Sequence, residues 1–281
     1  MARQLRCAAI HDLSCFGKCS LTVALPMLSA AGIECCCIPT AILSTHTGGF
    51  RGYTYRDLTD DILPVARHWR SEGIAPDAFY TGYLGSPAQV EIVERLLKML
   101  DPECKAFRLI DPVMGDHGRL YNGFAPDFPV LMRGLIRAAD VICPNITEAA
   151  LLTDLEYRPD GHSKEYILSL LGGLAKLGAK RIVLTGVSFD GDSVGAAVWE
   201  NGRAEYVCAP RVEGIYHGTG DVYASALLAC LLNGRSLRDA AQFACSFTAD
   251  CVRLTKETMP EVHYGVRFEA LLPSLIDELY K

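Results

Sequence analysis

The sequence predicts an α/β fold with a mostly parallel central sheet, helices on both faces and an antiparallel hairpin at one edge. Three observations carry this. Short apolar runs of strand length alternate with helical patterns almost from end to end, which is the order of a parallel sheet with crossover helices. Several of those runs stop in turns rich in Gly, Asp and Ser, where a parallel sheet exposes its carboxyl ends and binds ligands. One Asn-Gly pair, Asn201-Gly202, splits two β-rich segments and marks a hairpin. The chain has 281 residues, half of them hydrophobic, enough for one large core, and no linker or repeat interrupts the alternation. A single domain over residues 1–281 is expected.

Taken in order, Leu5 to Ile10 reads as the first strand, and the loop HDLSCFGK presents Asp12, Ser14 and Lys18 ahead of a helix from Ser20 to Ala31. Capping would also account for Asp12 and Ser14. Ile33 to Thr40 is the second strand, followed by a stretch rich in hydroxyls, aromatics and glycine that holds Thr45, His46 and Thr47. Leu58 to Arg70 is an amphipathic helix. Ala78 to Gly85 is a strand entering a glycine turn, with Tyr83 at the ligand edge. Helix Pro87 to Leu100 leads to strand Phe107 to Ile110, which ends in DPVMGDHG and brings Asp111 and Asp116 to one strand end. Such a pair suits Mg²⁺ beside a triphosphate, since that ion prefers hard oxygen ligands and keeps much of its hydration.

Asp140 to Cys143 is a further strand. The following Asn145 and Glu148 read equally as a capping box and as ligand-edge polar groups. Helix Ser163 to Leu177 precedes strand Arg181 to Leu184, whose end places Thr185, Gly186 and Ser188 for nucleotide phosphate or ribose. Segments Ser193 to Trp199 and Arg203 to Cys208 form the hairpin, and helices Leu237 to Leu254 and Phe268 to Leu279 close the chain.

The stretch organising the rest is His217 to Gly234. Gly218, Thr219 and Gly220 form a loop with little bulk that opens into an apolar helix in which Asp221 is the only charge. Backbone N–H groups at such a helix start, reinforced by the helix dipole, make an anion hole. A carboxylate in the first turn is a proton acceptor beside it, so the pair suits phosphoryl transfer to an alcohol. Taken alone, G-x-G-D is equally an ordinary core-helix start.

Bulk properties narrow the function. The formal charge of −6 and a pI near 5.7, with no Lys or Arg cluster, exclude nucleic acid as the expected partner. The N-terminal apolar run is too short for a signal peptide, and no segment approaches the ~20 apolar residues of a membrane helix, so a cytoplasmic protein with no membrane partner is expected. Twelve cysteines without a C-x-x-C pair read as reduced, buried thiols, among them Cys35, Cys36, Cys37, Cys143, Cys208 and Cys230; Cys15 and Cys19 lie nearest the suspected site. Neither a G-x-x-x-x-G-K-[ST] loop nor a G-x-G-x-x-G after the first strand is present, so nucleotide must bind another way.

The ordered set THTG (Thr45 to Gly48), GYLG (Gly82 to Gly85), DPVMGD (Asp111 to Asp116), PNITE (Pro144 to Glu148) and GTGD (Gly218 to Asp221) resembles the ribokinase-like small-molecule kinases, and within them the pyridoxal kinases of vitamin B6 salvage. The resemblance covers essentially the whole chain. It implies a three-layer α/β/α sandwich, ATP and Mg²⁺ as cofactors, a B6 vitamer as small-molecule substrate, and a homodimer. It further implies that Asp221 is the base for the 5′-hydroxymethyl, with the Gly218, Thr219 and Gly220 amides on the transferred phosphoryl. Asp111, Asn145 and Glu148 organise the metal and its waters, with Asp111 and Glu148 as metal ligands and Asp116 on the nucleotide side. Thr185 and Ser188 touch nucleotide. Thr45, His46, Thr47 and Tyr83, with Asp12 and Ser14, line the vitamer pocket, and His117 to Phe124 covers the nucleotide as a flap. Asp12 departs from the family, which carries a serine there, and a carboxylate would favour vitamers with positive charge such as pyridoxamine. Hydroxymethylpyrimidine kinase is the nearest alternative activity. A non-catalytic B6- or nucleotide-binding protein is a third, disfavoured by the retained Asp221.

Overall fold

The computed structural model describes residues 3–280. In chain order it contains β1 (Arg6–Ser14), α1 (Leu21–Ala30), β2 (Glu34–Leu43), β3 (Tyr55–Asp57), α2 (Thr59–Ser71), β4 (Ala78–Thr81), α3 (Pro87–Leu100) and β5 (Phe107–Ile110). A small hairpin, β6 (Gly115–Asp116) and β7 (Arg119–Leu120), precedes α4 (Phe128–Ala138), β8 (Val141–Ile142), α5 (Ile146–Thr153) and α6 (Lys164–Lys176). Then come β9 (Ile182–Val187), β10 (Ser193–Glu200), β11 (Arg203–Pro210), α7 (Thr219–Leu232), α8 (Leu237–Thr258) and α9 (Leu272–Tyr280).

The main sheet has the order β11-β10-β9-β8-β5-β4-β1-β2-β3. Its six middle strands, β2 to β9 across the sheet, run parallel, while β3, β10 and β11 are joined antiparallel at the two edges. Side chains alternate between two cores. On β4, Ala78 and Tyr80 face the core built with α1, α7, α8 and α9, and Phe79 faces the one built with α2 to α6. This is the expected three-layer sandwich. The β10–β11 turn holds Asn201 at φ 52° and Gly202 at φ 76°, the two positive φ values a tight hairpin with right-handed twist requires.

Several boundaries differ from the sequence expectation, for physical reasons. β1 runs on to Ser14, so Asp12 and Ser14 are strand residues rather than loop residues. Their polarity ended the apolar run in the sequence, yet both are buried, with the Asp12 carboxylate accepting from the Ser14 and Ser20 hydroxyls. The pairing of β1 with β2 shifts register between His11 and Leu13, where Asp12 sits. β9 likewise runs to Val187 and takes in Thr185 and Gly186. β3, β6, β7 and α4 are elements that no period or turn signal in the sequence marks as strand or helix. In α4 a Pro in the first turn and Gly134 interrupt the pattern, although Pro is compatible with a helix start. The cysteines are all free, but Cys15, Cys104 and Cys208 are exposed and Cys35, Cys36 and Cys37 only half-buried. The first half of β2 has no outer neighbour, since β3 pairs only with Ala41 to Leu43. Among the described residues no helix is long and apolar enough to cross a membrane.

One buried side chain fixes the Tyr83 loop. Gln89 accepts from the Gly85 N–H at 2.8 Å and donates to the Thr40 carbonyl at 3.0 Å and to Thr59 Oγ1 at 3.0 Å. Thr40 Oγ1 in turn donates to the Tyr83 carbonyl at 3.2 Å.

Candidate active site

A cavity of about 480 Å³ opens at the carboxyl ends of β4, β5, β8 and β9, against the start of α7. Its wall includes Tyr83, Asp111, Asp116, Asn145, Glu148, Thr185, Gly186 and the run Gly218 to Asp221. Nearly all the nucleotide, metal and loop residues picked from the sequence therefore meet in one space. Asp12, Ser14, Thr45, His46, Thr47 and Ser188 do not line it. Ser188 closes a turn: its N–H donates to His162 Nδ1 at 3.1 Å and its hydroxyl accepts from Gly191 N–H at 3.3 Å. His46 is buried, accepts the Gly48 N–H on Nδ1 at 3.0 Å, and packs 5.5 Å from the ring of His217, which does line the cavity. Burial and the neighbouring His217 and His263 push its pKa down to about 4.

The start of α7 is open. Four other helices, α3, α5, α6 and α8, begin with a Ser or Asn whose side chain caps a backbone N–H. Helix α7 follows Gly218 with no side-chain cap, a feature it shares with α1, α2 and α4, so its first N–H groups have no intrahelical acceptor, and its first residues, Thr219 to Asp221, line the cavity. Gly218 sits at φ 74°, and a β-carbon there would collide with the Lys18 carbonyl. Only glycine allows the loop after β1 to pack this closely. Asp221, in the first turn, is partly exposed to the cavity, and desolvation pushes its pKa up to about 7 against a contribution from the Ser20 backbone N–H that lowers it.

Opposite lies a group of buried acids. Asp111 is 7% exposed and Glu148 3%. Desolvation, then the proximity of Glu148 and Asp221, hold the Asp111 carboxyl well above the usual carboxylate range. Glu148 rises to about 8, chiefly by desolvation. The capping box forms as the sequence suggests: Glu148 N–H donates to Asn145 Oδ1 at 2.9 Å and Glu148 Oε2 accepts from Asn145 N–H at 2.8 Å. The start of the same helix holds the approach to the segment expected to be a flap and touches that segment itself at Gly118. Asn145 Nδ2 donates to the Gly115 carbonyl at 3.0 Å, Glu148 Oε1 accepts from Met114 N–H at 3.1 Å, and Thr147 Oγ1 accepts from Gly118 N–H at 2.9 Å. Capping and cavity lining are one arrangement here.

Sequence reasoning missed the rest of the wall. Val194, Gly195, Pro210 and Val212 come from the edge hairpin and the segment after it, and Cys245, Ala249 and Val252 from α8. They supply an apolar face suited to a flat heterocycle. Nothing distinguishes them in the sequence from other core residues. Ser20 and Tyr121 were also legible only as a helix start and as part of the flap.

The phosphomethylpyrimidine kinase family model matches residues 24–266. The chain belongs to that family. It is 32% identical to the pyridoxal kinase of Lactobacillus plantarum, with a TM-score of 0.89 and 98% of both chains covered. A Bacteroides thetaiotaomicron protein assigned to the phosphomethylpyrimidine kinases, in a crystal form with pyridoxal, is 35% identical, with a TM-score of 0.89 over 97% of this chain and 96% of that one. The pyridoxal kinase of Rubrobacter xylanophilus is 30% identical over 86% of this chain and 84% of its own. The fold is ribokinase-like.

The close approach at Gly218 has a measurable consequence. Gly218→Ala should cost about 1–3 kcal/mol in urea unfolding, the usual range for a side chain forced into a left-handed backbone. Gly220 has open space and an ordinary φ, so Gly220→Ala should leave stability unchanged or raise it by up to about 1 kcal/mol, as Ala for Gly in a helix does. Equal losses in the two variants would remove this explanation of Gly218.

Proposed function

We propose that this protein is a pyridoxal kinase that transfers the γ-phosphoryl of ATP to the 5′-hydroxymethyl of a B6 vitamer, acting as one catalytic domain. The observation that carries the reading is the uncapped start of α7, with Asp221 beside it, in the same cavity as Asp111 and Glu148. The relatives named above supply the substrate class. The Asp221 carboxylate accepts the hydroxyl proton as the oxygen attacks the γ-phosphorus, the bond from that phosphorus to the β,γ-bridging oxygen breaks, and ADP leaves. The N–H groups of Gly218, Thr219 and Gly220 hold the oxygens of the transferred group, where negative charge concentrates. Tyr83 lies on the vitamer side, and the wall from the edge hairpin and α8 takes the adenine.

The donor set suits Mg²⁺. Asp111 and Glu148 offer hard oxygens, and their pKa values are raised chiefly by desolvation, so a cation beside them would favour the ionised forms. Among the described residues no group of three or more His, Cys, Asp or Glu is arranged to hold a metal alone, which fits an ion held largely by phosphate and water. Bound there, Mg²⁺ neutralises phosphate charge, and Asp111 and Glu148 would hold it, directly or through water. A coupled assay with pyridoxal, pyridoxamine, pyridoxine and hydroxymethylpyrimidine tests the substrate class. Turnover of the pyrimidine alone would reassign the protein to pyrimidine phosphorylation, and no turnover at all would leave a binding protein.

Asp221→Asn should keep the fold and ATP binding and slow phosphorylation by about 10²- to 10⁴-fold, the usual worth of a general base. Turnover close to that of the unaltered protein would sink the assignment.

The pH dependence follows from the raised pKa of Asp221. The base works only when ionised, so kcat/KM should fall as pH drops through about 7. Stability runs the other way. A carboxyl whose folded pKa exceeds its unfolded value binds more protons when folded, so its contribution declines as pH rises from the unfolded value of 3.8 to about 7. An acid limb of kcat/KM near pH 4 would contradict the desolvated carboxylate.

A further inference from the structure

His217 lines the cavity one residue ahead of Gly218, outside helix α7. Its ring lies against Gly48: a β-carbon on Gly48 would come within 2.7 Å of His217 Cε1, 2.8 Å of Nδ1 and 3.0 Å of Nε2. Glycine at the end of the Thr45 to Gly48 stretch therefore makes the room that the ring occupies. The ring of His46 packs on it as well, 5.5 Å away between centroids and tilted by 52°. The backbone on both flanks is set independently. Gly218 is fixed against the Lys18 carbonyl, and the Tyr216 hydroxyl donates to the Glu213 carbonyl at 3.2 Å. The imidazole itself is held by packing alone. Among the described residues it makes no hydrogen bond, whereas the ring of His46 accepts the Gly48 N–H and that of His162 the Ser188 N–H. Neither ring nitrogen of His217 is buried, so its hydrogen-bonding atoms remain available at the cavity wall. Desolvation and then His263 lower its pKa, with Asp116 acting the other way, so the ring is mainly uncharged near neutral pH. An uncharged imidazole donates from one nitrogen and accepts on the other, in either tautomer. It suits a polar substituent better than a phosphate, which the helix N–H groups serve.

The chemistry of the vitamer decides which substituent. With the 5′-hydroxymethyl at Asp221 and the phosphoryl on the Gly218 to Gly220 loop, two ring positions flank the carbon that bears the reacting group. One, C6, carries only hydrogen. The other bears the 4′ substituent: an aldehyde in pyridoxal, an aminomethyl in pyridoxamine, a hydroxymethyl in pyridoxine. We propose that His217 is a specificity-determining residue whose imidazole hydrogen-bonds the 4′ substituent of the vitamer. The inference rests on the kinase reading and on Asp221 marking the reacting end. The aldehyde only accepts, the ammonium form of the aminomethyl only donates, and the hydroxyl does both, so a neutral imidazole serves all three by changing tautomer. An apolar side chain at 217 would serve none.

Pyridoxine and 4′-deoxypyridoxine, which has a methyl in place of the 4′-hydroxymethyl, test this in a cycle with His217→Leu and His217→Gln. In the unaltered protein kcat/KM should favour pyridoxine by about two- to tenfold, the worth of one hydrogen bond between uncharged groups. His217→Leu should abolish that preference: pyridoxine falls by the same factor, while the deoxy compound stays as it was or improves. His217→Gln, whose amide also donates and accepts, should restore part of the preference, which a merely structural prop would not do. The ratio of the two kcat/KM values reports the contact itself, because effects common to both substrates cancel. Equal losses for the two compounds would overturn the proposal and leave His217 as a support for the loop at Gly48. A rise confined to the KM for ATP would overturn it by placing the ring on phosphate, and unchanged values for both compounds would show that it touches neither. Should the unaltered protein phosphorylate neither compound, the kinase reading fails by itself, before any variant is compared, and the 4′ contact goes with it.

Discussion

The contact on which the site depends is the packing of Gly218 against the carbonyl of Lys18. It joins the turn after β1 to the start of α7, two segments separated by most of the chain. Gly265 crowds the same residue, and the Lys18 N–H donates to the Tyr264 carbonyl, so a third segment from beyond α8 locks the junction. The parallel order of β1, β4, β5, β8 and β9 brings their carboxyl ends to one edge. That order alone would leave the start of α7 unspecified. The close backbone contact sets where its free N–H groups point, and hence where negative charge is welcome.

Against that positive helix end the fold sets carboxylates that resist ionisation. Asp111 and Glu148 are buried almost completely, and Asp221 is desolvated, so each carries a raised pKa. Such groups weaken the folded state as pH rises, because the unfolded chain ionises them more readily. A site of this kind is kept for what it binds and does, not for stability. Glu148 shows how the fold limits the penalty. Its two oxygens take the N–H groups of Asn145 and Met114, so the residue that faces the cavity also starts α5 and fastens the strand-end hairpin above it.

The cavity is chemically divided. The side nearest α7 and the ends of β5 and β8 is polar and acidic, and the side from β10, the segment after β11 and α8 is apolar. The first suits phosphate and cation, the second a heterocycle stacked away from water. The side near Tyr83 is built more indirectly, through Gln89 holding the Gly85 turn and through His217 packing on His46. A loop that lines the cavity is thus supported by buried hydrogen bonds from the strand and helix behind it.

What the sequence determined by itself was whatever is written locally. The alternation of apolar runs and helical patterns gave a parallel sheet between helical layers, because each period reflects which face of an element is buried. The Asn145 to Glu148 spacing gave a capping box, Asn201-Gly202 a hairpin, and the motifs at strand ends the residues Asp111, Asn145, Glu148, Thr185 and Asp221, which share one cavity. The tertiary structure decided the rest. It turned Asp12 and Ser14 from loop residues into buried strand residues, set Ser188 into a turn, made a cavity wall from unremarkable residues of the hairpin and α8, and gave Ser20 a positive φ. The physical reason is range. A capping box or a tight turn is satisfied within a few residues, but the packing of Gly218 depends on the carbonyl of Lys18, which lies on a distant segment of the chain. Those partners meet only after the sheet has formed.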